Sequence, residues 1–393
     1  MPLFVEKRKR MSKAWEEWTE EEVTSFQDAF LTWYQREKRN LPWRYNHDPY
    51  RIWISEIMLQ QTRVDTVIDY FYRFMEQFPT IQDLANAPED KLLKVWEGLG
   101  YYSRARNIQA AAKQIMEEFN GVFPSTVDEI RSLKGIGPYT AGAISSIAFE
   151  IPEPAIDGNV MRVVSRLFCI EADIAKASSR RPFDEAMRKI ISKDQPGDFN
   201  QAMMDLGSSI CTPTSPQCES CPIQSYCQAY RENRQTDFPV KSKKLKPKDV
   251  YYVAGIIENK HQELFLQQRP ETGLLANMWL FPLEEITAAR FKELQEQYDP
   301  SAWDLFSSSL VAEDSPDFFP EQAVVWQKKV LGEVKHVFSH LRWHILVFYG
   351  RSMSALTMKG QWVKPNNFEN YVFPKPQQKM LEVFENNLAD DKD

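Results

Sequence analysis

The chain has 393 residues, 43% of them apolar and 26% charged, with a formal net charge of −7. That length leaves room for two or three domains with sizeable cores. No run of about 18 apolar residues suggests a membrane span, and the opening MPLFVEKRKR lacks the apolar stretch of a secretory signal, so a soluble intracellular protein is expected. The negative sum argues against a polyanion partner only if charge is evenly spread, and it is not. Residues 1–13 hold five Lys/Arg against one acid, 236–248 hold five Lys against one Asp, and 284–321 carry ten acids against two bases.

In chain order, a basic tail over 1–18 leads into a helical stretch over 19–235. Thr19-x-x-Glu22 is a capping box, and Val23, Phe26, Phe30 and Trp33 follow at helical spacing. Further helices are expected over 50–62, 64–77, 88–97, 101–119, 159–168, 182–193 and 199–210, with Gly121 and Pro124 ending the fourth of these. TDFPVKSKKLKPK, with two prolines and five lysines, marks a linker over 236–249. The period then changes: YYVAGII, ELFLQQR, QAVVWQKKV and WHILVFYG have strand patterns, with helices near 286–298 and 375–387. The chain is therefore multidomain, an all-α part followed by a smaller α+β domain over 250–385 and an acidic tail over 386–393.

Three segments carry chemistry. In RIWISEIMLQQT, a helix from Tyr50 sets Glu56 one turn from Ile52 and Trp53 on one side and from Leu59 and Gln60 on the other. A carboxyl on that apolar face is desolvated, which raises its pKa and lets it donate a proton near neutral pH; the alternative is a buried Glu satisfied by an ion pair. In LKGIGPYTAGAISSIAFEIPEPAIDGN, a Gly-Ile-Gly-Pro turn joins two helical patterns, forming a hairpin over 126–149. Gly135 and Gly137 allow a tight turn whose amides can approach an anion, or they simply join two helices. Asp157 precedes a helix beginning near Asn159, so its carboxylate faces a helix N-terminus that favours ionisation, whether as a plain cap or as a working anion. One neutral acid and one anion are the pair needed to break an N-glycosidic bond through an oxocarbenium-like transition state.

The third segment is CTPTSPQCESCPIQSYC. Cys211, Cys218, Cys221 and Cys227 have a C-x6-C-x2-C-x5-C spacing that can wrap one metal centre, zinc or an iron–sulfur cluster, whereas disulfides do not suit a chain without an export signal. Cys169, within VMRVVSRLFCI, is expected to be a small core residue.

LPWR at 41–44, SEIMLQQT at 55–62, GLGYYSRARN at 98–107, LKGIGPYTAGAI at 133–144, AIDGNVMRV at 155–163 and the cysteine loop together resemble the MutY-type adenine DNA glycosylases of the helix-hairpin-helix superfamily. The resemblance implies a six-helix-barrel glycosylase domain with an iron–sulfur subdomain, and a [4Fe–4S] cluster on the four cysteines. It implies Glu56 and Asp157 as catalytic carboxylates, Tyr139 and Asn159 as their supports, and Trp43, Arg44 and Gln201 around a flipped adenine. Gln61 and Tyr101 would enter the duplex beside the lesion, while Gly135 and Gly137 grip its backbone. Tyr139 stands where strand-cleaving relatives carry a lysine, which implies a monofunctional enzyme. ELFLQQRPETGLLANMWLFP resembles a Nudix fold without the acidic metal-binding box after Gly273, and Phe338, Ser339 and His340 match the loop that contacts 8-oxoguanine. Double-stranded DNA with A opposite 8-oxoguanine or guanine is the partner implied, for a monomer in the cytoplasm or at a bacterial nucleoid, with proteins that process abasic sites downstream. Two rivals stay open: a bifunctional pyrimidine-lesion lyase and a non-catalytic DNA-binding or iron–sulfur redox protein.

Overall fold

The computed structural model describes residues 13–243, 246–298, 318–319 and 322–390. Most of the basic cluster at 1–13, Lys244 of the linker, much of the acidic stretch 284–321 and the end of the acidic tail lie outside them. The chain forms two compact units: Met1–Ala87 with Ser103–Lys243, and Pro88–Tyr102 with Lys244–Asp393. Among the described residues, no helix is long and apolar enough to cross a membrane.

The first unit is helical: α1 (Glu20–Glu37), α2 (Pro49–Leu59), α3 (Val64–Gln77) and α4 (Ile81–Asn86) precede an excursion of chain that contains α5 (Glu89–Val95). α6 (Ser103–Glu118), α7 (Val127–Ser132), α8 (Pro138–Phe149), α9 (Gly158–Phe168), α10 (Arg181–Ile190), α11 (Pro196–Ser209) and the short α12 (Gln228–Arg231) follow. The capping box expected at Thr19 forms: Glu22 N donates to Thr19 Oγ1 at 3.2 Å and Thr19 N to Glu22 Oε2 at 2.8 Å. α1 then buries Phe26, Phe30, Leu31 and Tyr34 in a core shared with α9, α10 and α11.

Two helix boundaries depart from the sequence pattern for one reason. α2 stops at Leu59 rather than 62 because Gln61 is left-handed (φ 58), and α6 begins at Ser103 rather than 101 because Gly100 and Tyr101 are (φ 71 and 49). α4 and α12 were not expected. Cys169 is not a core residue: it is the partly exposed, left-handed C-cap that ends α9 (φ 50), its N–H donating to Ser165 O.

The second unit is built on a mixed sheet of β1 (Lys248–Glu258), β2 (Leu264–Gln268), β3 (Trp279–Leu280), β4 (Leu283–Ile286), β5 (Val324–Val337), β6 (Leu341–Ser352) and β7 (Gln361–Val363). The order is β3-β2-β1-β6-β5; β1 and β6 are parallel, and β4 and β7 pair with β1 and β2. Alternate residues feed two cores on opposite faces. Ala254, Ile256, Trp343 and Ile345 meet Met380 and Phe384 of α14 (Lys375–Asp390), while Val253, Ile257, Leu346 and Phe348 meet Phe291 and Leu294 of α13 (Ala288–Gln297). After Gly273 the chain makes turns and short strands, with no helix before α13.

Candidate active site

Glu56, Tyr139, Asp157, Asn159, Trp43, Arg44 and Gln201 all line one cavity of about 180 Å³ in the first unit. Four local structures put them there. Glu56 lies on the core-facing side of α2, where eight residues, Tyr50 and Ile52 to Met58, are buried and Arg51 is not. Tyr139 follows the Gly137–Pro138 start of α8, Asp157 caps α9, and Gln201 projects from α11. Trp43 and Arg44 come from a single 3₁₀ turn between α1 and α2.

Glu56 is 6% exposed, and Tyr139 Oη donates to its Oε2 at 2.5 Å. Burial pushes the Glu56 carboxyl up to about 7, with the Tyr139 hydroxyl opposing the rise and the Asp157 charge adding to it. Asp157 accepts from Val160 N at 2.7 Å and from Asn159 Nδ2 at 2.8 Å. Burial still holds its pKa above the usual aspartate value, and those donors act against the rise. The two carboxyls therefore sit in one desolvated site, where the Asp157 charge resists ionisation of Glu56. None of the described residues lining the cavity is a lysine.

Several residues that sequence reasoning missed hold this geometry. Asp205, 8% exposed at its side chain, clamps Arg44 with two bonds, Nη1 to Oδ2 at 2.8 Å and Nη2 to Oδ1 at 3.1 Å, and also takes Arg39. Arg44 Nε is buried with no partner in the structure, a donor left over for a ligand. Arg162 donates to Asn159 Oδ1 at 2.8 Å, to Gly207 O at 2.7 Å and to Cys211 O at 2.8 Å, so it fixes the amide that holds Asp157. Arg104 donates to the carbonyls of Ile57, Met58 and Gln60 at 2.7, 3.1 and 2.6 Å, capping α2 and setting the turn that presents Gln61. The RAR of the 98–107 segment was the only local trace of it.

The other site residues lie outside the cavity. Gln61 is exposed just past α2. Gly135 needs its missing Cβ twice over: φ is +79, and a Cβ would lie 2.6 Å from Asn107 Cβ. At Gly137 a Cβ would meet nothing within 4 Å, leaving the start of α8 open to a close ligand. Tyr101, 45% exposed, belongs to the second unit. Ser339 and His340 form the exposed tip of the β5–β6 hairpin, which Phe338 N closes by donating to Leu341 O at 2.7 Å. Phe338 packs edge-on against Trp343 and His336, whose pKa burial and two lysines push down to about 4, so the ring beneath it is neutral.

The four loop cysteines line a narrow cleft together with Arg166, which is 2% exposed. Arg166 donates to Thr212 O and Pro213 O, fixing the loop, and directs Nη1 at Cys211 Sγ from 3.2 Å. Burial pushes the Cys221 and Cys227 thiols up to about 12 and 11, so they need a cationic centre to become thiolates. Among the described residues no group of three or more His, Cys, Asp or Glu could hold a single ion. Four thiols lining one cleft match the four thiolate ligands of an iron–sulfur core. When bound, that cluster cross-links the loop.

Comparison with known proteins agrees. Family models match as an HhH-GPD superfamily base excision DNA repair protein over residues 54–189, an iron-sulfur binding domain of endonuclease III over 211–227 and a NUDIX domain over 253–383. The loop thus carries a [4Fe–4S] cluster. Adenine DNA glycosylase of Rattus norvegicus is 33% identical over 93% of this chain and 78% of its own. That of Mus musculus is 36% identical over 82% and 69%, and that of Buchnera aphidicola 33% over 91% and 95%.

Proposed function

Since this chain belongs to the adenine DNA glycosylase family, we propose that it excises adenine paired with 8-oxoguanine or guanine in duplex DNA and stops at the abasic site. The observation that carries this reading is the Glu56–Tyr139–Asp157 group inside a cavity sized for one flat heterocycle rather than for a base pair. Such a cavity is reached only by a nucleotide turned out of the stack.

With a pKa of about 7, Glu56 is about half protonated at neutral pH and largely protonated below it. Its Oε2 accepts from Tyr139, so Oε1 carries the proton and delivers it to the leaving purine. Asp157, held by the first amides of α9, offers negative charge to the sugar cation as the bond breaks and orients the water that completes hydrolysis. Arg44, fixed by Asp205, and Gln201 supply donors and an acceptor to the edge of the base, with Trp43 forming an apolar wall. A tyrosine at 139 and a cavity without lysine supply no amine for Schiff-base strand cleavage. Lesion reading falls to the second unit, whose hairpin tip presents Ser339 and His340, while Gln61 and Tyr101 fill the duplex.

The test is a labelled duplex carrying A opposite 8-oxoguanine, treated with and without alkali. Strand cleavage at A only after alkali is the expected result. Cleavage without alkali would mean a lyase, and no adenine release would overturn the reading.

A further inference from the structure

The glycosylase family match runs without a break over 54–189, yet Pro88–Tyr102 clusters with the Nudix-like unit. Three side-chain contacts within that unit explain why. Asn277 Nδ2 donates to Glu89 Oε1 at 3.0 Å. Lys94 Nζ donates to Tyr371 O at 3.0 Å and pairs with Glu97 Oε2 at 2.7 Å. Glu97 Oε1 in turn accepts from the backbone N–H of Phe373 at 2.8 Å. Phe373 is itself 5% exposed, packed in the core under the sheet, so the anchor point is a buried one.

Directly after Glu97 the chain makes a costly turn. Gly98, Gly100 and Tyr101 all have positive φ (100, 71 and 49), and only the tyrosine lacks glycine's freedom to adopt it. The indole of Trp96 donates to Gly100 O at 3.1 Å and Tyr102 Oη accepts from Gly98 N at 3.3 Å, closing the turn from both sides. A non-glycine residue stays left-handed only where its surroundings over-determine it, and such residues gather at functional sites. The turn presents Tyr101 with 45% of its surface exposed.

We infer that Glu97 is a positioning residue for duplex recognition: bonded to Phe373 N–H and Lys94, it fixes the Trp96–Tyr102 turn on the Nudix-like unit and so holds Tyr101 ready to enter DNA. The inference rests on the reading of Tyr101 as a residue that fills the duplex. It makes the wedge and the 338–340 tip parts of one compact unit, so discrimination between opposite bases depends on a carboxylate that touches neither DNA nor the reacting atoms.

A double-mutant cycle in the full-length, iron-loaded protein tests it. Glu97→Ala is expected to weaken binding to an A:8-oxoguanine duplex by about fivefold to tenfold, with the single-turnover excision rate at saturating enzyme changed less than about twofold. Glu97→Gln, whose amide oxygen still accepts from Phe373 N–H, should recover most of the affinity. In a Tyr101→Ala background the Glu97→Ala loss should vanish. A loss of the same size with and without Tyr101, or parental affinity in Glu97→Ala, overturns the inference. Parental affinity in Tyr101→Ala alone overturns the reading of Tyr101 beneath it, and is visible separately. Should Glu97→Ala misfold, Lys94→Met spares the Phe373 N–H and carries the same cycle.

Discussion

The proposed catalytic cavity and the β5–β6 hairpin tip meet opposite physical demands. In the first, Glu56 is 6% exposed and held by Tyr139, so burial can shift its proton affinity by the amount that acid catalysis needs. In the second, Ser339 and His340 stand in solvent at the end of two long strands, exposed as the proposed contact with a base edge requires. On the proposed reading, chemistry is kept on buried side chains inside a core, and recognition on a tip whose partly buried member, Phe338, is an anchor. What differs is whether the residue acts through a changed pKa or through reach. Each substitution below moves one side of that contrast.

The largest effect is expected at Glu56. Glu56→Gln keeps shape and removes the proton, so single-turnover excision should fall by about 100- to 10,000-fold while duplex affinity stays within about tenfold. Parental excision by this variant would break the contrast outright. In the unmodified enzyme, excision should decline as pH rises through about 7, because the acid is then lost. Stability runs the same way. A folded pKa of about 7 against an ordinary 4.5 means that the stability contributed by protonated Glu56 is fully present below 4.5 and is lost as pH rises through 7. Glu56→Gln should therefore raise the melting temperature more at pH 8 than at pH 4, by roughly 1–3 kcal/mol of stability.

The iron–sulfur loop comes next. Cys211, Cys221 and Cys227 pack against the core that also holds α9, which Asp157 caps. Cys221→Ala should lose the cluster and destabilise the first unit by roughly 4–5 kcal/mol, read as iron content and thermal unfolding. An active protein with full stability and no iron would show that the loop is dispensable to the site. A smaller loss is expected at Asp205. Asp205→Asn leaves the Arg44 guanidinium buried without its counter-charge, and removing one partner of such a pair costs about 3 kcal/mol. Excision should slow by more than duplex binding weakens; unchanged kinetics would show that Arg44 needs no clamp.

Much of the cavity was legible because helix ends are local. The Thr19 capping box, the Gly137–Pro138 start of α8, the Asp157 cap and the cysteine spacing each occupy a few consecutive residues, and each folds as its pattern requires. What was not legible depends on partners far away in the chain. Asp205 meets Arg44 across 161 positions, and Arg162 reaches Cys211 across 49, so neither leaves a mark in its own neighbourhood. The same holds for Pro88–Tyr102, whose helical pattern says nothing of Phe373, 276 positions from Glu97. Cys169 misled because an apolar helix pattern does not reveal where the helix stops.

The smallest effect is the one that isolates recognition. Removing residues 250–393 would be a blunt probe, since Glu89, Lys94 and Glu97 take their partners from them and Tyr101 would lose its anchored turn. Substitution at the tip is cleaner, because Ser339 and His340 are exposed and bond to each other through Ser339 Oγ and His340 Nδ1 at 3.3 Å. Replacing both by alanine, with Phe338 kept as the anchor over Trp343, should leave folding and iron content unchanged. It should reduce the preference for A opposite 8-oxoguanine over A opposite guanine by about 1–3 kcal/mol, the discrimination that a good side-chain pairing with a base edge supplies. The ratio of affinities for the two mispairs is the measurement, because weakening a general phosphate contact would lower both equally and leave the ratio alone. Adding Phe338→Ala removes the anchor as well, and the further change in that ratio separates contact by the tip from its support. An unchanged ratio in the double variant would move opposite-base reading away from the hairpin.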